Sequence, residues 1–452
     1  MTWAGVLHHP TPHPRTTPMR TLLPLLAFIA FNAAPIIGAD LETKPQGEQF
    51  AKFEPVKAPV YDSLYLKQDD RLAIIGDSIT EQKMYSRIIE TYLTVALPEL
   101  KISARQYGWS GETAEGFKKR MTQDCLRFKP TIATLCYGMN DHRYKPYDEK
   151  TAAWYRDNYG TVAKNLKDAG ARVVIGSPGP IGKMPHWVKT ATGTVEDLNL
   201  HLCAFRNIDI ELAQEHGVRF ADVFWPMFTS FYAAKEKYGA GYEVPGSDGV
   251  HPDWAGQTVM AYAFLTALGC DGDIGTITVD LARNGATASS GHTVTKADAD
   301  GVNLSSTRYP FCATGVADKH NSIRSGMTLV PFMHELSRFT LIANGGKDAK
   351  YSVTWGTESR TYTAEQLTAG VNLADDFTVN PFSDAFKKVD EAVLKKQQYE
   401  TEQIKNQFHG RAGKADIEKT ATETEAIRAP LAAAIATAMV PLSHTIKIAP
   451  AP

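Results

Sequence analysis

Between Arg71 and Gly269 the chain alternates apolar runs of strand length with segments of helical period, and few folds accept that order of elements. A helix after each strand returns the chain alongside it in the same direction. The alternation therefore predicts a parallel sheet covered by helices on both faces, a three-layer α/β/α domain. Five strands are expected, at Leu72–Ile75, Ile102–Tyr107, Thr131–Tyr137, Arg172–Ser177 and Val218–Phe224. Met84, Tyr85, Ile88, Ile89, Tyr92 and Leu93 share one face of a helix that Pro98 ends. Further helices are predicted at Ala114–Phe128, Glu149–Ala169, Val195–Glu215 and Asp253–Leu268, with Gly170, Gly217 and Gly269 placed for C-terminal caps.

After Asp273 the pattern changes to short β-leaning runs, Thr276–Leu281, Met327–Pro331, Phe339–Ala343 and Tyr351–Trp355, separated by Gly, Asn, Asp and Ser. This predicts a small antiparallel β module over 273–380. Two charged, helix-favouring segments, Asp384–Phe408 and Lys414–Met439, flank His409-Gly410-Arg411-Ala412-Gly413 and predict a helical hairpin over 381–440. The pairs Lys387-Lys388 and Lys395-Lys396 read as a solvated face of that hairpin. A last strand in 441–452, His444–Ile448, is expected to return to the β module.

The N-terminus has a different character. Met19-Arg20, the apolar stretch Thr21–Ile37 and the small residues Gly38-Ala39 have the three regions of a secretory signal, behind an upstream extension. Residues 1–39 are thus expected to be removed, 40–70 to form a lead-in, and the product to be exported to the periplasm or the medium without a stable membrane span. Lys plus Arg at 48 against Asp plus Glu at 50 gives no electrostatic reason to bind nucleic acid. Five scattered cysteines make no disulfide framework, and neither a Cys-x-x-Cys nor a second His beside His334-Glu335 supports a metal site, so no cofactor is expected.

The chemistry lies at the carboxyl ends of the strands, where ligands of open α/β sheets bind. Gly76-Asp77-Ser78 comes directly after the first strand and puts a hydroxyl at a strand-to-helix turn. A serine hydroxyl needs a base to take its proton, an acid to orient the base and donors for the oxyanion. Asp248-Gly249-Val250-His251 supplies the base, His251, and the acid, Asp248. Gly111 offers a backbone N–H without a side chain, Asn140 a side-chain amide, and Ser78 its own N–H. Asp77 reads as a hydrogen-bond acceptor of the turn. Trp109, Tyr137, His142 and Tyr144 flank these segments and are candidate substrate contacts, while Trp154, Trp187 and Trp225 read as core or surface aromatics.

Taken together, these segments resemble the SGNH hydrolases of the GDSL esterase superfamily. Ser78 in Gly76-Asp77-Ser78-Ile79-Thr80 matches the first block, Gly111 in Ser110-Gly111-Glu112-Thr113 the second and Asn140 in Gly138-Met139-Asn140-Asp141 the third. Asp248 and His251 in Asp248-Gly249-Val250-His251-Pro252 match the last. The resemblance covers about Leu72 to Leu268, within the domain expected over 71–272. It implies a flavodoxin-like sheet and metal-free ester hydrolysis through an acyl-enzyme on substrates ranging from acetylated sugars to lipids and thioesters. Ile79 stands where the name-giving Leu belongs, and the Gly-x-Ser-x-Gly elbow of another hydrolase fold is absent.

Residues and resemblance together point to an exported serine esterase acting on O-acyl, chiefly acetyl, esters of a small molecule or polysaccharide. A lipase or lysophospholipase is the alternative within the class. A polysaccharide- or envelope-binding protein with a secondary hydrolase domain is the alternative outside it.

Overall fold

A computed structural model describes residues 40–452, so the expected leader at 1–39 lies outside the described residues. The five expected strands form one sheet: β1 (Arg71–Gly76), β2 (Ser103–Gln106), β3 (Ile132–Cys136), β4 (Arg172–Gly176) and β5 (Arg219–Ala221). All pairs are parallel, in the order β2-β1-β3-β4-β5. The order reverses between β1 and β3, so the carboxyl ends of those neighbours open the crevice where such sheets bind ligands.

Alternate residues of β1 explain the layers. Leu72 and Ile74 join a core with Tyr85, Ile88 and Tyr92 of the helix Tyr85–Ala96, and with Val259 and Phe264 of the helix Trp254–Ala267. Ala73 and Ile75 join a second core with Phe117 of Ala114–Asp124 and Tyr155 and Tyr159 of Glu149–Asp168. Successive side chains of a strand point to opposite faces, so a strand covered on both sides is apolar throughout.

Two of the expected strands require correction. The run Val218–Phe224 is strand only to Ala221, because the Ser177 hydroxyl accepts from the N–H groups of Val223 and Phe224, both at 3.0 Å, and a helix, Phe224–Tyr238, begins there. Met327–Pro331 lies in turns between the short helices Ile323–Gly326 and Phe332–Glu335. Its apolar side chains, Val330 among them, pack onto the first core rather than into a sheet.

Past Asp273 there are two sheets. One joins β6 (Asp273–Asp280), β7 (Gly285–Ala288), β10 (Arg338–Asn344) and β13 (Val371–Asn372) in the order β13-β10-β6-β7, with β6 and β10 parallel where antiparallel pairing was expected. The other is antiparallel, β12-β11-β14-β9-β8, built from β8 (His292–Asp298), β9 (Gly301–Ser306), β11 (Lys350–Trp355), β12 (Glu358–Thr363) and β14 (Leu442–Pro450). Phe339 of β10 stacks on Trp355 of β11 with ring centroids 5.2 Å apart, which locks the sheets together. These residues belong to the same apolar cluster as Leu72 and Ile74, so the sheets share a core with the α/β layers.

The hairpin consists of the helix Ser383–Glu402, a π-helical segment Gln403–Phe408, a turn of helix at Arg411–Ala415 and the helix Ile417–Ala438. It closes the open border of the parallel sheet. Glu400 accepts from the Gln106 N–H at 3.0 Å, while Lys396 and Arg428 donate to the Ala104 carbonyl at 2.5 and 3.0 Å. Side-chain charges thus stand where a further strand would pair. Lys396 is only 1% exposed and also pairs with Glu90 and Glu400, which corrects the solvated-face reading for that residue; Lys387, Lys388 and Lys395 are exposed.

All five cysteines are buried and unpaired. Among the described residues no helix is long and apolar enough to cross a membrane.

Candidate active site

The site begins where β1 ends. Asp77 caps a single helical turn, Ser78–Glu81, its Oδ1 accepting the Ile79 N–H at 2.9 Å, so the carboxylate acts in the turn and Ser78 faces the crevice half-buried. The loop after β2 crosses this turn closely. A Cβ on Gly108 would lie 2.2 Å from the Glu81 nitrogen, so only glycine allows the approach.

From the far end of the domain, Asp248 and His251 reach the same point. Nε2 of His251 lies 2.8 Å from Oγ of Ser78, and Nδ1 lies 2.7 Å from Oδ2 of Asp248. The other Asp248 oxygen accepts the N–H groups of Val250 and His251 at 2.9 and 2.8 Å. Partial burial pushes the Asp248 carboxyl up, but the two N–H donors and the imidazole outweigh it and hold the group below its ordinary value. An ionised Asp248 keeps the proton on Nδ1, leaving the Nε2 lone pair directed at the serine hydroxyl.

Two loops carry the residues expected as oxyanion donors, Gly111 and Asn140. Gly111 is exposed at φ +74, with open space where a side chain would project. Asn140 lies just past β3, and its amide donates to the Glu112 carbonyl at 3.0 Å and more loosely to Asp77 Oδ2 at 3.3 Å. Beneath them Asp141 joins the two loops, accepting from the Ala114 and Gly138 N–H groups at 2.9 and 3.0 Å. Burial pushes the Asp77 and Asp141 carboxyls up to about 7, with Glu112 adding repulsion at both.

The four expected substrate contacts divide. Tyr144 stays at the crevice, its hydroxyl 3.4 Å from Asn140 Oδ1, and both it and Arg143 adopt left-handed φ values of 54 and 56. Tyr137 is buried instead, donating to Glu112 at 2.6 Å as part of the wall. His142 is buried too, its Nδ1 against the Met139 carbonyl at 2.5 Å. Burial pushes its pKa down to about 3, and its full burial corrects the expectation that it contacts substrate. Trp109 packs against Arg120, Lys405 and His409 at 5.0, 5.2 and 5.0 Å, so its ring belongs to the junction with the hairpin.

Trp187, half-buried in the loop after β4, is a site residue that the sequence pattern does not single out. Its ring lies 5.7 Å from that of His251 and 6.0 Å from that of Tyr144. Its place beyond the carboxyl end of a strand is the one signal that could have marked it. Among the described residues no three His, Cys, Asp or Glu side chains converge as a metal cluster.

A parallel sheet of this order, with serine and asparagine after adjacent strands and an Asp-His pair closing on the serine, is that of an SGNH-type serine ester hydrolase. Residues 74–259 match the model of the GDSL-like lipase/acylhydrolase family, and the chain carries a domain of that family. It is similar to an acetylxylan esterase of Geobacillus stearothermophilus, 25% identical over 222 residues, or 44% of this chain and 94% of the relative. Among solved structures it resembles a gut microbial diltiazem-metabolizing enzyme, with a TM-score of 0.71 at 21% identity over 86% of this chain and 99% of the other. That span is far longer than the family segment, so the shared fold reaches into the accessory sheets or the hairpin.

Proposed function

We propose that the protein is an exported esterase that removes acyl groups, chiefly acetyl, from carbohydrate through an acyl-enzyme on Ser78. Ser78 Oγ attacks the ester carbonyl while its proton passes to His251 Nε2. The tetrahedral oxyanion takes donors from the N–H groups of Ser78 and Gly111 and from the Asn140 amide, whose loose hydrogen toward Asp77 is the one released to it. His251 then gives the proton to the leaving alcohol. Water repeats the sequence in reverse, freeing acetate and restoring Ser78.

The observation that carries this reading is the chain of hydrogen bonds from Asp248 through His251 to Ser78 at 2.7 and 2.8 Å. Support for carbohydrate comes from the acetylxylan esterase relative and from two aromatic faces, Trp187 beside His251 and Tyr144 beside Trp187. Export rests on the signal pattern of residues 1–39.

A chain-length series of p-nitrophenyl esters beside acetylated xylan, each with Ser78→Ala, tests the proposal. Acetate release from xylan, a rate falling with acyl length and an inactive Ser78→Ala are expected. A rate rising with acyl length assigns a lipid substrate instead. Activity surviving in Ser78→Ala removes the mechanism. The N-terminal sequence of the mature protein recovered outside the cytoplasm tests export.

A further inference from the structure

Two chains of contacts run from the tip of the C-terminal hairpin to the two loops of oxyanion donors. In the first, Lys405 Nζ donates to both oxygens of Glu81, at 2.8 and 3.0 Å. Glu81 closes the helical turn that Ser78 opens, and its Oε2 accepts the N–H and hydroxyl of Ser110 at 2.5 and 2.7 Å. The carbonyl carbon of Ser110 is bonded to the Gly111 nitrogen, so the planar peptide held by Ser110 sets the direction of the Gly111 N–H. In the second, His409 Nε2 lies 2.7 Å from Asp124 Oδ2, which Arg120 meets at 3.2 Å. Arg120 clamps the Glu112 carboxylate at 2.6 and 2.7 Å, and the Glu112 carbonyl receives the Asn140 amide. The Trp109 ring fills the space between the two chains.

The inner contacts are sheltered, with Lys405 and Glu81 26% and 18% exposed and Asp124 not at all, while Ser110 stands at the surface. Lys405 lies inside the π-helical segment, and His409 is the residue directly after it. A π turn rotates the next residues away from the positions a regular helix would give them, since each residue of a regular helix advances by about 100°.

We propose that Lys405 and His409 are positioning residues that hold the Gly111 and Asn140 donors in line for the oxyanion, making the hairpin part of the catalytic apparatus. This rests on the assignment of Gly111 and Asn140 as oxyanion donors.

The test uses the full chain carrying Lys405→Met, Lys405→Arg or His409→Phe, with the exposed Lys387→Met as a control. A p-nitrophenyl alkylphosphonate reports separately on the oxyanion donors. It forms a Ser78 Oγ–P bond, expels p-nitrophenolate and develops negative charge on the phosphoryl oxygen. Lys405→Met and His409→Phe are expected to lower kcat on p-nitrophenyl acetate about tenfold with KM within about twofold, and to slow phosphonylation by the same factor. Lys405→Arg should recover most of the rate and Lys387→Met should lose none. Unchanged kcat in both Lys405→Met and His409→Phe, with Ser78→Ala inactive, would overturn the inference and leave the esterase reading standing. A loss of kcat matched by fewer phosphonate-titratable sites would also overturn it, because it reports unfolded molecules. Activity in Ser78→Ala would remove both readings.

Discussion

His251 and Ser78 stand 173 residues apart in the chain, yet Nε2 of one lies 2.8 Å from Oγ of the other. The contact depends on a turn whose carboxylate, Asp248, holds both the backbone and the imidazole of His251. Asp248→Asn keeps an oxygen for the backbone donors but offers an amide where the ring N–H must be accepted. It is expected to lower kcat by roughly 10² to 10⁴ with the fold intact. Steady-state kinetics beside circular dichroism would show this, and a loss below threefold would remove Asp248 from the role.

Asn140→Ala removes a side-chain donor, and the expected fall in kcat is about 10² to 10³, with KM little changed. Gly111→Ala acts differently. The new methyl meets no atom within 4 Å, but the residue sits at φ +74, so a stability loss of about 1 kcal/mol is expected in urea denaturation.

Trp187→Ala should separate substrates. Without the ring beside His251, KM for acetylated xylooligosaccharides is expected to rise several-fold while p-nitrophenyl acetate, too small to reach it, is turned over as before. Equal effects on both substrates would assign Trp187 to supporting His251 rather than to binding sugar.

A buried relay in the accessory sheets predicts acid sensitivity. Trp355 donates to His444 Nδ1 at 3.1 Å, which fixes the His444 proton on Nε2 toward Ser306 at 2.9 Å; Ser306 contacts His292 Nδ1 at 2.8 Å, and His292 Nε2 meets the Ile274 carbonyl at 2.9 Å. Burial pushes the His444 pKa down to about 3. The unfolded chain therefore takes up a proton near the ordinary value of about 6.5 that the folded state refuses. The unfolding free energy falls as pH drops from that value toward 3. Asp77 and Asp141, pushed up to about 7, act in the opposite sense, losing their contribution as pH rises through that value. On going from pH 7 to pH 5 the urea midpoint of His444→Gln should therefore move further toward higher urea, or fall less, than that of the parent protein, and equal signed shifts would refute the assignment.

What the sequence made legible was local. The five strands announce themselves through apolar runs, and Gly76-Asp77-Ser78 and Asp248-Gly249-Val250-His251 are each set by turns of three or four residues. Side-chain direction was not legible. Tyr137 and His142 are next to a functional loop in sequence, but the pleat and the turn point them inward. Nor were contacts without a local pattern. Lys405 reaches Glu81 across 324 residues, and a lysine in a charged helix looks the same whether it meets water or a carboxylate. The parallel pairing of β6 with β10 was hidden too, because short polar-flanked runs carry no sign of strand direction.

The border of the parallel sheet is finished by Glu400, Lys396 and Arg428 rather than by main chain. A polypeptide cut short after the α/β layers would bare the Gln106 N–H and the Ala104 carbonyl as a template for a neighbouring molecule. Trimming this esterase to its family segment should therefore yield a self-associating product, and restoring the tail should suppress that association.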